Sequence, residues 1–166
     1  LMNKKAYHPP QKILTRYADV LVNFALNKGK GIKRGDVVYI VAEESAKPLY
    51  LELRKAVWKA GGHVISSYHP SNDEKYNVEK DFFIHAVEDH QLDFFPRYHL
   101  GGLVKQIDHS IFILSDTDKH ALKDIDPKLI MRKGKAMKPY MEWRNAKENE
   151  GKFTWTLALY GTPAMA

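Results

Sequence analysis

The stretch from Gly35 to Tyr68 constrains the fold most, because it reads as turn, strand, helix, turn, strand. Gly35-Asp36 punctuates its start, and Val37-Val38-Tyr39-Ile40-Val41 is a continuous β-branched and aromatic run. That is the pattern of a strand buried on both faces. Ser45 then offers an N-cap oxygen, and Pro48 a preset φ at the start of a helix. Leu49, Leu53, Ala56, Val57 and Ala60 recur at three-and-four spacing, which gives the helix one apolar face. Gly61-Gly62 ends it where a left-handed residue is wanted, and His63 to Tyr68 follows as a second strand. Two strands joined by a helix of this length lie parallel with a right-handed crossover.

The flanking segments extend that unit. Ile13, Tyr17, Leu21 and Phe24 mark the apolar stripe of a helix running to about Asn27, stopped by Gly29 and Gly31. After the second strand, Pro70-Ser71-Asn72-Asp73 is a turn, and no strand pattern recurs before Ser110. Helices are expected there around Val78–Val87, Glu88–Phe95 and Leu100–Ile107. Ser110–Leu114 is the third strand. Asp126-Pro127 starts a helix that Gly134 and Pro139 should kink or split, with Ile130, Met137, Tyr140 and Met141 on its buried side. Phe153–Tyr160 is the fourth strand. The expectation is a three-layer α/β fold around an open, mainly parallel sheet. Its strand order would be flavodoxin-like (2-1-3-4) or Rossmann-like, with a helical excursion between strands two and three.

A length of 166 residues suits one domain with its own core, taken here as residues 11–166. Residues 1–10 read as an extended arm or a cloning remnant, with Met2 as the natural start. The best apolar run, Ala18 to Leu26, is interrupted by Asn23 and falls short of the roughly 20 residues that a membrane span needs. No secretory leader pattern appears, and with no cysteine there are neither disulfides nor thiolate metal sites. A cytoplasmic location is expected. The net charge of +6 invites a nucleic-acid reading, but its distribution argues otherwise. Seven acids between Asp73 and Asp93 face two lysines, whereas seven bases between Pro127 and Asn149 face two glutamates. Segments of opposite sign describe solvated helix faces, or docking to a complementary surface, rather than a phosphate track. Neither nucleic acid nor membrane is an expected partner.

In open α/β sheets, ligands sit beyond the carboxyl ends of the strands. The residues placed there are Glu43 and Glu44 after strand one, His69 after strand two, Asp116, Thr117 and Asp118 after strand three, and Tyr160, Gly161 and Thr162 after strand four. Converging carboxylates of that kind suit a hard cation such as magnesium, and equally serve as solvated loop residues and helix caps. A nucleotide is disfavoured. The loop after strand one has two acids and no glycine, so bare backbone cannot approach a phosphate. His85 and His90 are five apart and share no helix face, and no His-Glu-x-x-His or Gly-x-Ser-x-Gly pattern occurs.

Beyond single residues, an ordered set of segments carries a resemblance. It includes Tyr17-Ala18-Asp19-Val20-Leu21-Val22-Asn23, Gly35-Asp36-Val37-Val38, Lys47-Pro48-Leu49 and Lys59-Ala60-Gly61-Gly62. Most specific is the closing run from Phe153 through Leu159-Tyr160-Gly161-Thr162-Pro163-Ala164-Met165-Ala166. From about Gln11 onward the chain resembles the amino-terminal part of the thermophilic metalloaminopeptidases, the family of aminopeptidases T and S. The resemblance implies a Rossmann-like domain followed by a carboxy-terminal domain with two divalent metals of zinc or cobalt type, held by glutamates, histidines and an aspartate. Those metals would activate water against the first peptide bond, with a carboxylate as base. No family ligand falls on any residue here, so no catalytic, cofactor-binding or metal residue is assigned to this chain.

The chain therefore reads as the non-catalytic amino-terminal domain of a cytoplasmic metal-dependent aminopeptidase, inactive alone. Its partners would be its own missing catalytic domain and, in the full-length protein, peptide substrates; a homodimer is compatible. The alternative is a stand-alone regulatory α/β module that binds a small ligand or divalent cation in the acidic crevice.

Overall fold

Strand β1 (Val37–Glu43) is the inner strand on which the sheet is built. In the computed structural model, which describes residues 8–73 and 75–165, β1 pairs in parallel with β2 (His63–His69) and with β3 (His109–Leu114). Beyond β3 lies β4 (Thr154–Leu159), also parallel. The order is β2-β1-β3-β4, the expected 2-1-3-4 arrangement of an α/β sheet. The first seven residues of the expected arm, with Glu74 and Ala166, fall outside the described residues.

Side chains alternate across a strand, so the register assigns each residue a face. Val38, Ile40 and Ala42 of β1, Ile111 and Ile113 of β3, and Ala158 of β4 point to one face and are fully buried. Helices α1 (Gln11–Val20) and α2 (Lys47–Lys59) cover them, contributing Leu14, Ala18, Leu49, Leu53 and Val57 to one continuous core. The opposite face carries Val37 and Tyr39, packed with Ile65 and Phe153 under α5 (Arg97–Gln106) and α7 (Lys138–Asn149). That second core is smaller and covers only the amino-terminal half of its face. Helices on both sides of the sheet make the expected three layers.

The helical excursion consists of α3 (Val78–His85), the short α4 (Asp89–Leu92) and α5. Asn77 caps α3 by accepting from the Lys80 amide at 3.0 Å, and a capping box at Glu88 and Gln91 starts α4. The helix opened by Asp126 and Pro127 is split, as Gly134 and Pro139 predict. α6 (Pro127–Ala136) and α7 meet at Met137, and Pro139 occupies the first turn of α7.

The two oppositely charged segments are complementary to each other. Arg132 on α6 grips Asp93 with two N–H groups (2.7 and 2.6 Å) and Asp89 with a third (2.5 Å), while Lys80 reaches Asp124 at 3.2 Å. The basic surplus in the sequence is thus partly spent inside the molecule.

Four local expectations are corrected. Ser45 is not the N-cap of α2: that place falls to Ala46, and the Ser45 hydroxyl instead donates to Ser115, tying the end of β1 to the end of β3. The stripe of the first helix holds at Leu21, which is buried, and at Tyr17, which packs against the core, but it is completed by Leu14, Ala18 and Val22, while Ile13 and Phe24 are more than half exposed. Small Ala18 lets α1 lie close to α2, and a π-helical turn over Leu21–Ala25 inserts an extra residue that carries Phe24 outward. Met137 at the junction and Tyr140 on α7 pack inward as expected, but Met141 is half exposed because the helix leaves that part of the face open. Finally, α5 begins at Arg97, directly after Pro96, rather than near Leu100.

Candidate functional site

The carboxyl ends of the strands form a rim, and the rim residues do not converge on one point. Glu43 lines a cavity of about 340 Å³ with His69, Pro70, Asn72, Val78 and Glu79. Burial pushes the Glu43 carboxyl up, and the carboxylates of Glu79 and Asp116 push it further. The Ser71 hydroxyl, 3.4 Å away, and His69 act in the opposite direction. Asn72, which is 8% exposed, keeps a side-chain oxygen without a hydrogen-bond partner. His69 itself shares a hydrogen bond with the Ser67 hydroxyl at 2.6 Å.

Other expected residues are turned elsewhere. Glu44 accepts from Tyr68 and pairs with Lys47 at 3.4 Å. The Tyr68 bond, chiefly, holds its carboxyl below the usual range. Asp118 closes a local turn by accepting from the His120 amide at 2.8 Å. Tyr160 points into the α1/α2 core, where burial raises its phenol, and its amide donates to Leu114. Thr162 donates to the Asp116 carbonyl, pinning the end of β4 to the end of β3. Thr117 keeps its buried hydroxyl without a partner. Among the described residues, no group of three or more His, Asp or Glu side chains could hold a metal ion, so the donor set present does not fit a divalent pair.

The larger concavity lies on the second face, where α5 and α7 leave the sheet bare. The register sets Ser67, Val41, Phe112 and Leu157 side by side across all four strands, and Phe112 and Leu157 are 43% and 51% exposed. With Tyr140, Met141 and Arg144 of α7 and Trp155 of β4, this row walls a groove of about 520 Å³. Sequence reasoning missed the groove. A continuous apolar run on β3 reads as buried on both faces, and nothing local says that a covering helix stops short. Glu79 was missed for a related reason: it reaches the rim from the excursion, which the periodicity of the strands cannot locate, and Asn72 reads in the sequence only as part of the turn after β2.

Between the amino-terminal strand ends lies a polar network. His109 donates from Nε2 to Asp36 Oδ2 at 2.9 Å, and its Nδ1 meets the Thr154 hydroxyl at 2.8 Å. Thr154 also accepts from the Asn27 amide at 2.9 Å. Burial opposes ionisation of Asp36, but the Lys33 amide and His109 outweigh it and hold that carboxyl below its ordinary value. These bonds join the turn after α1 to three strands and leave no free reactive group, so the network is structural.

The chain matches the family model of the thermophilic metalloproteases (M29) over residues 10–166. No curated protein matches it. Among solved structures it is similar to wild-type AmpT from Thermus thermophilus, with a TM-score of 0.72 at 18% sequence identity. That likeness covers 93% of this chain but 37% of the AmpT chain, so at this level of identity it speaks for the fold. The chain spans little more than a third of the length of the protein it resembles.

Proposed function

Because the chain belongs to the thermophilic metalloprotease (M29) family, we propose that it is the amino-terminal, non-catalytic part of a metal-dependent aminopeptidase that removes amino-terminal residues from peptides. The observation that carries this reading is the pairing of a match over residues 10–166 with coverage of only 37% of the related AmpT chain. Two divalent metals of zinc or cobalt type belong, on this reading, to the carboxy-terminal catalytic part. There they would supply an activated water for attack on the first peptide bond. This chain's residues shape the cleft that admits the peptide. The strand-end rim around Glu43, Asp116 and Thr162 faces the catalytic part. A cytoplasmic location and a homodimer of the full-length protein complete the proposal.

The test is an assay of the 166-residue chain on leucine p-nitroanilide with added cobalt or zinc. The expected outcome is turnover no greater than that of the metal alone. Turnover well above that control would place catalytic residues on this chain and overturn the reading.

A further inference from the structure

The groove on the second face contains an arginine with a buried donor that the fold leaves without an acceptor. Arg144 Nε is buried without a hydrogen-bond partner, and none of the ion pairs among the described residues includes Arg144. Its guanidinium instead lies over the rings of Phe153 and Tyr140, at 5.2 and 5.6 Å from their centres. Arg132, by contrast, satisfies three N–H groups on two aspartates. A buried donor without an acceptor is unfavourable, and a guanidinium fork matches a carboxylate in shape and charge. Glu148 also lines the groove, one turn further along α7, but its carboxylate accepts from Trp155 Nε1 at 3.1 Å. The acceptor that Arg144 lacks is therefore expected from a ligand.

The rest of the groove says what the carboxylate is attached to. Phe112 and Leu157 give an apolar floor, while Ser67, Ser110 and Asn145 place hydroxyl and amide groups along it. Apolar ground interleaved with short hydrogen-bonding groups suits a chain of amides bearing apolar side chains better than a plain hydrocarbon. A volume of about 520 Å³ falls in the roughly 300–1,000 Å³ range of small-molecule sites. We propose that this groove binds a short apolar peptide by its free carboxyl end, with the carboxylate on Arg144 and side chains over Phe112 and Leu157. The choice of a peptide among carboxylates rests on the peptidase reading; the carboxylate itself rests on Arg144. In an aminopeptidase such a subsite would act as a ruler, holding one end of the peptide while the other is cleaved.

The experiment is an NMR titration of the 15N-labelled 166-residue chain, without metal, using leucyl-phenylalanine, its carboxamide and 4-phenylbutyrate. The dipeptide should shift the Arg144 Nε–Hε resonance and the amides of Ser110 and Phe112. The carboxamide should bind roughly tenfold more weakly or worse, the loss expected for one charge-assisted contact. Arg144→Gln should weaken the dipeptide to a similar degree, Arg144→Lys less, and Glu148→Gln should tighten it. Equal affinity for acid and carboxamide, or shifts confined to another surface, would overturn the proposal. Tighter binding of 4-phenylbutyrate than of the dipeptide would reassign the groove to non-peptide carboxylates and overturn it too. If Arg144→Gln fails to fold, the comparison of acid with carboxamide on the unaltered chain still decides. Because no hydrolysis is read, absence of binding would leave the peptidase reading standing, and failure of that reading would leave the binding result intact.

Discussion

The two faces of the sheet come from the same four strands and are used differently. The face under α1 and α2 is sealed: Ile40, Leu49, Leu53, Val57 and Ile111 are all inaccessible to solvent. The face under α5 and α7 is sealed over Val37, and then opens from Tyr39 onto Phe112, Leu157 and the unpaired Nε of Arg144. Their charged groups differ in the same sense. On the sealed side Glu52, 5% exposed, is met by Gln11, Thr15 and Lys55, and Asp36 by His109. On the open side Glu43 sits among other acids. One face is finished as a core, and the other retains the unsatisfied groups and bare apolar surface expected of a place where something else binds.

Truncation should show the contrast most strongly. Leu53→Ala on the sealed face should cost about 2–5 kcal/mol, the usual range for a buried leucine. Phe112→Ala on the open face should cost less than about 1.5 kcal/mol, since much of its ring is already in water. Urea denaturation of both variants measures the difference, and equal losses would mean that the open face is covered in solution.

Next in size is Gly31→Ala. A Cβ there would collide with the Asn23 backbone carbonyl, at a φ of +73°. The tight return after α1 should lose roughly 1–3 kcal/mol, the strain of a side chain in left-handed backbone plus the clash. Thermal melting would read this, and an unchanged midpoint would show that the turn is looser than described.

The pH dependence should carry opposite signs on the two faces. Asp36 has a folded pKa below its unfolded value of 3.8, so its contribution is complete above that value and is lost as pH falls through the folded pKa. Asp36→Asn should therefore cost stability at pH 7, by roughly 1 kcal/mol for a charged hydrogen bond, and the cost should shrink in acid. Glu43 has a folded pKa above its unfolded value of 4.5, so its unfavourable contribution is absent below pH 4.5 and grows as pH rises through the folded pKa. Glu43→Gln should stabilise the protein at pH 7 by a few tenths of a kcal/mol and do nothing at pH 4. Melting curves at pH 4 and 7 check both signs. Destabilisation by Glu43→Gln at pH 7 would mean that the rim carboxylates are held by a cation.

What the sequence discloses divides along the same line. Strand β1, the crossover helix and strand order 2-1-3-4 are legible, because apolar periodicity and Gly61-Gly62 act locally. The split at Pro139 is legible too, since a missing amide acts where it stands. The open half of the second face is not legible. Phe112 and Ile111 look alike in sequence, but they point to opposite faces, and the helices leave the Phe112 side bare. The outward turn of Phe24 depends on a π-helical turn that no residue type announces. The mutual neutralisation of the acidic and basic segments was visible as a sign asymmetry, but not the fact that the complementary surface lies within the chain. Of the rim residues, Glu43, His69 and Asp116 were placed by topology alone. Glu44, Asp118, Thr162 and Tyr160 were placed equally well, but their side chains are committed to local bonds or to the core.

On the proposed function, this chain contributes walls and contacts to a metallopeptidase and not the metals themselves. Isothermal titration calorimetry of the 166-residue chain with zinc and with cobalt, at pH 7.5, tests it most directly. The account predicts no stoichiometric binding of either ion, only weak heats of the kind produced by scattered surface histidines and carboxylates. Saturable binding of two ions per chain, lost on replacing Glu43 and Asp116, would contradict it and move the chemistry onto the strand-end rim.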